Sequence, residues 1–398
     1  MTRILENRPN TDGSCDVPMA LEAEALTLAL SDESCSVTPY LCHEGMEYQL
    51  ENSPCITQTR TSFEIGLCRT YSKLKGAEGR RQRFHCKFAH CSTTTEQRTR
   101  GLKLNDAKVF CDACAVGFGE SHLHIAGRLI TGKSTQKVRV DKPPGPPPKT
   151  RSGPTPGQSA ATDMFGPTVA SRGGGRYGMI LKDVASGFRL GVVLPKKSFL
   201  KAPLKRMIVE FRARSGNDMR VLKADGDGSY VSNDFKAVLS DMLIHINYSG
   251  AHDHRQNGLA EQEVRVAKKD LRVNCAHSGA PNDMWGELFH YRNFTRNNLR
   301  SVFYKGEWIT PTMRMENKRK PFNFNLLMPF GAKCVVSIIK ENRVPPQSVE
   351  QISGWTGYFV GYGATSGHEG CYRVFNPVTK GIRAVSYNFC TIDEDEFP

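Results

Sequence analysis

The chain has 398 residues, with 13 Cys and a net charge of +14 from 54 Lys and Arg against 40 Asp and Glu. That length excludes a single small disulfide scaffold and fits about two to three domains, while 20 Phe and 12 Tyr argue against wholesale disorder. An odd Cys count without a leading signal segment points to reduced thiols inside the cell, no apolar run nears the roughly 20 residues of a membrane helix, and the positive excess suits a polyanion.

The charge is uneven. Residues 1–66 hold three Arg against eleven Asp and Glu, a net of −8, which leaves +22 on the remainder. Apart from a weak helical stretch at Leu21–Leu30, this acidic arm has no sustained period and is read as disordered. Residues 67–125 turn basic and then carry His85-Cys-Lys-Phe-Ala-His90 and Cys111-Asp-Ala-Cys114. Residues 126–158, with Lys142-Pro-Pro-Gly-Pro-Pro-Pro-Lys149, read as an extended linker.

From 159 to 300 strands and helices alternate. Residues 159–165, Tyr177–Ala185 and Phe188–Leu194 read as three strands, and Leu200–Phe211 as a helix. Met219–Ala224 follows as a strand, Asn233–Leu243 as a helix capped by Ser232, and Ile244–Tyr248 as a strand. Residues 258–275 and 282–299 close the region as helices. The order βββαβαβαα predicts a mixed α/β sheet with helices on its faces. Periodicity lapses over 301–325, read as a second linker. Short strands at Lys333–Ile339, Trp355–Tyr362, Cys371–Phe375 and Gly381–Tyr387 then predict a small all-β barrel over 326–393.

Two constellations carry chemistry. His85, His90, Cys111 and Cys114 are the residue types of a closed tetrahedral Zn²⁺ site, with a Cys-x-x-Cys turn supplying two thiolates and an adjoining helix two imidazoles. Cys86 and Cys91 are neighbouring alternatives. Asp163, Asp225 and Glu261 are expected on the first strand, at the end of the fourth and near the start of a helix. If the first and fourth strands are neighbours, these carboxylates converge as a site for two Mg²⁺ ions, with Asp183 and Asp227 as rivals.

Taken in order, these motifs resemble the integrase region of a copia-type LTR retrotransposon Pol polyprotein. The resemblance rests on the His/Cys set, on Asp163-Met-Phe-Gly-Pro167, and on Asp225 followed after 35 residues by Glu261 in Gln256-Asn-Gly-Leu-Ala-Glu261. It extends through Met284-Trp-Gly-Glu287 with Asn297, Pro329-Phe-Gly-Ala-Lys333 and Gly357-Tyr-Phe-Val-Gly-Tyr362, covering about residues 80–393. It implies a ribonuclease-H-like core between a small zinc-binding helical domain and a β-barrel. It also implies Asp163, Asp225 and Glu261 as catalytic ligands of two Mg²⁺ or Mn²⁺ ions, His85, His90, Cys111 and Cys114 as ligands of one structural Zn²⁺, and an Asp183 that faces away.

The implied activity is 3′-end processing and strand transfer of element DNA into target DNA, by a homo-oligomer acting in the nucleus. Lys182, Lys223, Arg255, Arg265, Lys268 and Lys269 are candidate phosphate contacts, and Trp285 is expected in the core. Three features depart from the pattern: Asp225-Gly-Asp-Gly-Ser229 where Asp-Asn-Gly-Gly-Glu is usual, Gln262 for the Arg after the glutamate, and Ala251–Arg255 for a proline-containing stretch. They support an alternative, a degenerate or domesticated copy that binds nucleic acid without catalysis.

Overall fold

The computed structural model describes 40–43 and 46–49 by their backbone, together with residues 76–102, 111–117, 155–225, 228–248, 258–338, 354–394 and 396–397. The chain forms two compact units, Met1–Thr59 and Arg60–Pro398. In the first, β1 (Tyr40–His43) and β2 (Met46–Gln49) pair as an antiparallel hairpin that the sequence reading did not anticipate. The helix expected at Leu21–Leu30 lies outside the described residues, as does most of the linker at 126–158.

The second unit opens with α1 (Gly76–Lys87), α2 (Thr93–Arg100) and α3 (Asp112–Gly117). Helix α2 is started by Ser92, whose hydroxyl accepts from Thr95 N at 3.3 Å, and is stopped by Gly101 at a left-handed φ of 69°. Next come β3 (Ser159–Phe165), β4 (Tyr177–Asp183), β5 (Arg189–Leu194), α4 (Lys201–Ser215) and β6 (Val221–Ala224). After them follow α5 (Asn233–Asp241), β7 (His245–Tyr248), α6 (Gly258–Ser278) and α7 (Trp285–Asn297). The expected cap of α5 is present, Ser232 Oγ accepting from Phe235 N at 3.3 Å.

The sheet order is β5-β4-β3-β6-β7, with β3 antiparallel to β4 and parallel to β6. This is the mixed, ribonuclease-H-like sheet that the resemblance implies, and its first and fourth strands are neighbours. Side-chain alternation divides the sheet's apolar residues between two layers. Met179 and Leu181 pack with Leu204, Ile208 and Phe211 of α4 and with Phe235 and Leu239 of α5. Ile180 and Phe165 face the other way, onto Val264 and Ala267 of α6 and Phe289 of α7. Each such fully buried side chain contributes roughly 1.5–3 kcal/mol, so α6 is fixed over β3 and β4.

Asp183 is fully buried at the end of β4. It accepts from Gly157 N at 2.7 Å and from Ser186 N and Oγ at 2.6 and 2.7 Å, which makes it the anchor of the β4–β5 turn. Asn297 brackets the start of β5, accepting from Arg189 N at 3.0 Å and donating to Arg189 O at 2.7 Å. Trp285 lies half-buried against Phe165 and donates to Val169 O at 2.8 Å, on the core side as expected.

Residues 301–325 are not an irregular connection. They form a hairpin of β8 (Val302–Tyr304) and β9 (Glu307–Ile309), then α8 (Pro311–Met315). Strands of three residues are too short to show a period, which is why alternation alone misses them. The all-β module follows as β10 (Lys333–Ser337), β11 (Gly354–Tyr362), β12 (Cys371–Phe375), β13 (Ile382–Ser386) and β14 (Cys390–Asp393). They pair antiparallel in the order β13-β12-β11-β10-β14. Gly331 sits at φ 85°, where a Cβ would come within 2.5 Å of Ser278, so the Pro-Phe-Gly-Ala turn docks closely on the end of α6.

Candidate functional site

Asp163 lies on β3, and the parallel pairing of β3 with β6 aligns Ala161 with Lys223. Carrying that register on by two residues sets Asp225, one residue past the end of β6, beside Asp163. Glu261 is in the first turn of α6, the helix laid across this face of the sheet. Burial raises the Asp163 carboxyl to about 6; Met164 N, donating to Oδ1 at 2.7 Å, opposes this, while the charges of Asp225 and Glu261 add to it. Asp225 and Glu261 thus act on Asp163 from two other elements, and Lys268 of α6 opposes them. Carboxylate oxygens are the donor type that Mg²⁺ and Mn²⁺ prefer, but among the described residues the groups whose ligand atoms all lie within 4.8 Å of one another are His/Cys sets, and the three carboxylates are not such a group.

The basic candidates separate. Arg265 and Lys268 are exposed on α6 and recur with Glu261 at three- and four-residue steps, so they share its face. Exposed Arg272 continues that stripe; the sequence reading missed it, although its spacing of four from Lys268 was available. Lys269 is half-buried. Lys223 lies on β6 two residues before Asp225, and Arg255 is outside the described residues.

Lys182 is committed elsewhere. Its ammonium donates to Glu263 Oε2 at 2.7 Å, in a buried network where Arg292 lies 2.5 Å and Arg189 3.4 Å from Glu263 Oε1. Arg292 and Arg296 also pair with Asp270 at 2.8 and 2.6 Å. Burial alone would raise Glu263, but Arg189, Arg292 and Lys182 hold it well below the ordinary carboxylate range. The network joins β4, β5, α6 and α7 directly behind Glu261. Glu263 gave no signal in sequence, because its partners come from three other elements.

The second constellation is compact. Ligand atoms of His85, His90, Cys111 and Cys114 all lie within 4.8 Å of one another. His85 Nε2 is 3.2 Å from Cys114 Sγ, and His90 Nδ1 is 3.4 and 3.5 Å from Cys111 and Cys114 Sγ. Tetrahedral Zn–N and Zn–S bonds imply an N···S edge of about 3.6 Å. The His/Cys cluster is therefore compatible with a zinc site. The two histidines do not share a helix: α1 ends at Lys87, and Ala89 and His90 turn with φ of 51° and 55°, which aims His90 back at the thiols.

Burial lowers His90 to about 4, which keeps its imidazole neutral as a metal ligand must be. A hydrogen bond between the two cysteines holds Cys111 down toward thiolate and pushes Cys114 up. Cys86 and His277 lie beside His90 as a further set within 4.8 Å. His277, on α6, meets the His90 ring edge-on at 4.7 Å between centroids, a contact the sequence reading did not foresee.

No family model matches the chain. Over 224 residues, 56% of its length, it is 25% identical to the retrovirus-related Pol polyprotein from transposon TNT 1-94 of Nicotiana tabacum. The match spans 16% of that polyprotein. A solved structure, the cryo-EM structure of the simian T-cell lymphotropic virus intasome in complex with PP2A regulatory subunit B56 gamma, contains a similar chain at 12% identity and a TM-score of 0.31, covering 71% of this chain and 94% of that one. The chain is thus similar to a retrovirus-related Pol polyprotein over part of that protein's length, and its motifs resemble those of the integrase region of the copia type.

Proposed function

We propose that the chain is a retrotransposon integrase, a metal-dependent polynucleotidyl transferase that trims the 3′ ends of element DNA and joins them to target DNA. The observation that carries this reading is the parallel pairing of β3 with β6, which brings the strand of Asp163 beside the strand that leads to Asp225, with Glu261 in the first turn of α6. Asp163, Asp225 and Glu261 would hold two Mg²⁺ or Mn²⁺ ions, which when bound supply Lewis-acid activation of the attacking and leaving oxygens. The carboxylates fix where the phosphodiester sits, and exposed Arg265, Lys268 and Arg272 hold its flanking backbone without reading sequence. His85, His90, Cys111 and Cys114 would bind one Zn²⁺ with every position filled by protein, a structural role. The site of action is the nucleus, and the working form is a homo-oligomer.

The test is Mg²⁺- or Mn²⁺-dependent joining of a labelled element-end duplex to target DNA. Wild type is expected to join it, while Asp225→Asn and Glu261→Gln bind the duplex but lose joining by about a hundred- to a thousandfold, as for other loss of transition-state charge stabilisation. Joining by wild type no better than by these variants sinks the reading. It leaves the degenerate nucleic-acid-binding copy, which the exposed Gln262 beside Glu261 favours.

A further inference from the structure

The hairpin β8–β9 gathers aromatic rings and cations. Arg98 of α2 lies over Trp308 at 3.4 Å from the ring centroid, and Arg314 of α8 lies over Tyr304 at 3.6 Å. Trp308 is backed in turn by Phe303 at 5.3 Å. Arg300 N donates to Thr99 Oγ1 at 3.0 Å, so α2 is tied to the start of the hairpin. At its tip, Lys305 is exposed and reaches over Tyr304.

Several other half-buried arginines of this unit pair with carboxylates, as Arg214 does with Glu316 and Arg373 with Glu287. Among the described residues neither Arg98 nor Arg314 has a carboxylate partner. A guanidinium lying on an aromatic face gains cation–π stabilisation without consuming its N–H edge. It is also already ordered, so less side-chain entropy is lost when that edge is used. The stretch 300–320 carries Arg300, Lys305, Arg314, Lys318, Arg319 and Lys320 against Glu307 and Glu316, a net of +4, and Glu316 is occupied by Arg214 and Lys318.

We propose that the β8–β9 hairpin, with Arg98 and Arg314 stacked on Trp308 and Tyr304, is a second DNA-backbone contact surface, separate from the carboxylate site. It takes the phosphates of duplex DNA and reads no bases. It rests on the reading of the chain as DNA-binding, but not on catalysis.

The experiment measures duplex affinity of the full chain by fluorescence anisotropy across salt concentrations. Each phosphate contact contributes a slope of about 0.9 in log K against log salt. The double variant Arg98→Gln/Arg314→Gln is expected to lower the slope by about 1.8. Lys305→Asn and Arg319→Gln/Lys320→Gln, at exposed positions that folding does not require, are expected to lower it by about 0.9 and up to about 1.8. Unaltered slopes in the hairpin variants, with wild type binding DNA, overturn this surface alone. Lowered slopes with no joining activity support it while sinking the transferase. No duplex binding by wild type overturns both.

Discussion

Asp163 has an acidity set by its neighbours, and this makes the chain's stability depend on pH in a definite direction. Between the ordinary value of 3.8 and about 6, the folded chain retains a proton that the unfolded chain has released. Stability from this group is full below the lower value and falls as the pH rises through the window. Asp163→Asn keeps the oxygen that accepts from Met164 N but removes the charge. In metal-free buffer near neutral pH the variant is therefore expected to melt a few degrees above wild type, with less loss across the window, and added Mg²⁺ is expected to raise wild type more than the variant. Differential scanning fluorimetry reads both, and matching pH profiles for the two proteins would count against the clustered site. The trio was legible in sequence because spacing and residue type survive without coordinates. The acidity was not, because it arises from burial and from charges on two other elements.

Helix α6 presents Glu261 and a basic stripe on one face and a buried ion network on another. Glu261 opens the face that carries Arg265, Lys268 and Arg272, while Glu263 and Asp270 turn inward to Lys182, Arg189, Arg292 and Arg296. Glu263→Gln leaves three cations buried with one carboxylate fewer, an expected loss of about 3–5 kcal/mol, read by urea denaturation. A change below about 1 kcal/mol would mean that water compensates the network. Glu263 is also held more acidic than an ordinary carboxylate, so its contribution is present above the ordinary carboxylate value and is lost as the pH falls below it. On the hairpin the backbone decides differently. Lys305 and Gly306 have φ of 49° and 87°, a turn that Asn-Gly adopts more readily than Lys-Gly. Lys305→Asn is thus expected to hold or raise the melting temperature while weakening DNA binding, and a marked drop in melting temperature would contradict the turn assignment.

At the scale of the whole second unit, the segment bearing the His/Cys cluster is not a detachable finger. Phe88, Ala89 and Cys91, between His85 and the thiols, share one buried core with Leu288 and Tyr291 of α7 and with Phe359, Tyr362 and Tyr372 of the β module. On its other side, Cys86, Cys111 and Ala113 pack on Val273 of α6. Removing zinc with a chelator, or replacing Cys114 with Ser, is therefore expected to shift the main unfolding transition of the unit as one event. Near-UV circular dichroism during melting monitors this, because Trp285, Trp308 and Trp355 report on the core, the hairpin and the β module. A separate low-temperature step with an unmoved main transition would contradict the shared core.

What the sequence determined by itself was local. Apolar period and capping set the order βββαβαβαα, residue chemistry at fixed spacing picked out the His/Cys set, and the resemblance of whole motifs singled out Asp163, Asp225 and Glu261 over Asp183 and Asp227, because these signals lie within a few residues of one another or survive as motifs. The tertiary structure alone decided that β3 and β6 are neighbours, that Glu263 takes Lys182 out of the basic surface, that His90 turns back to meet two thiols, and that arginines from α2 and α8 settle on one short hairpin. Each of these depends on contacts between residues far apart in the chain, whose energies come from burial and charge pairing that no local pattern encodes.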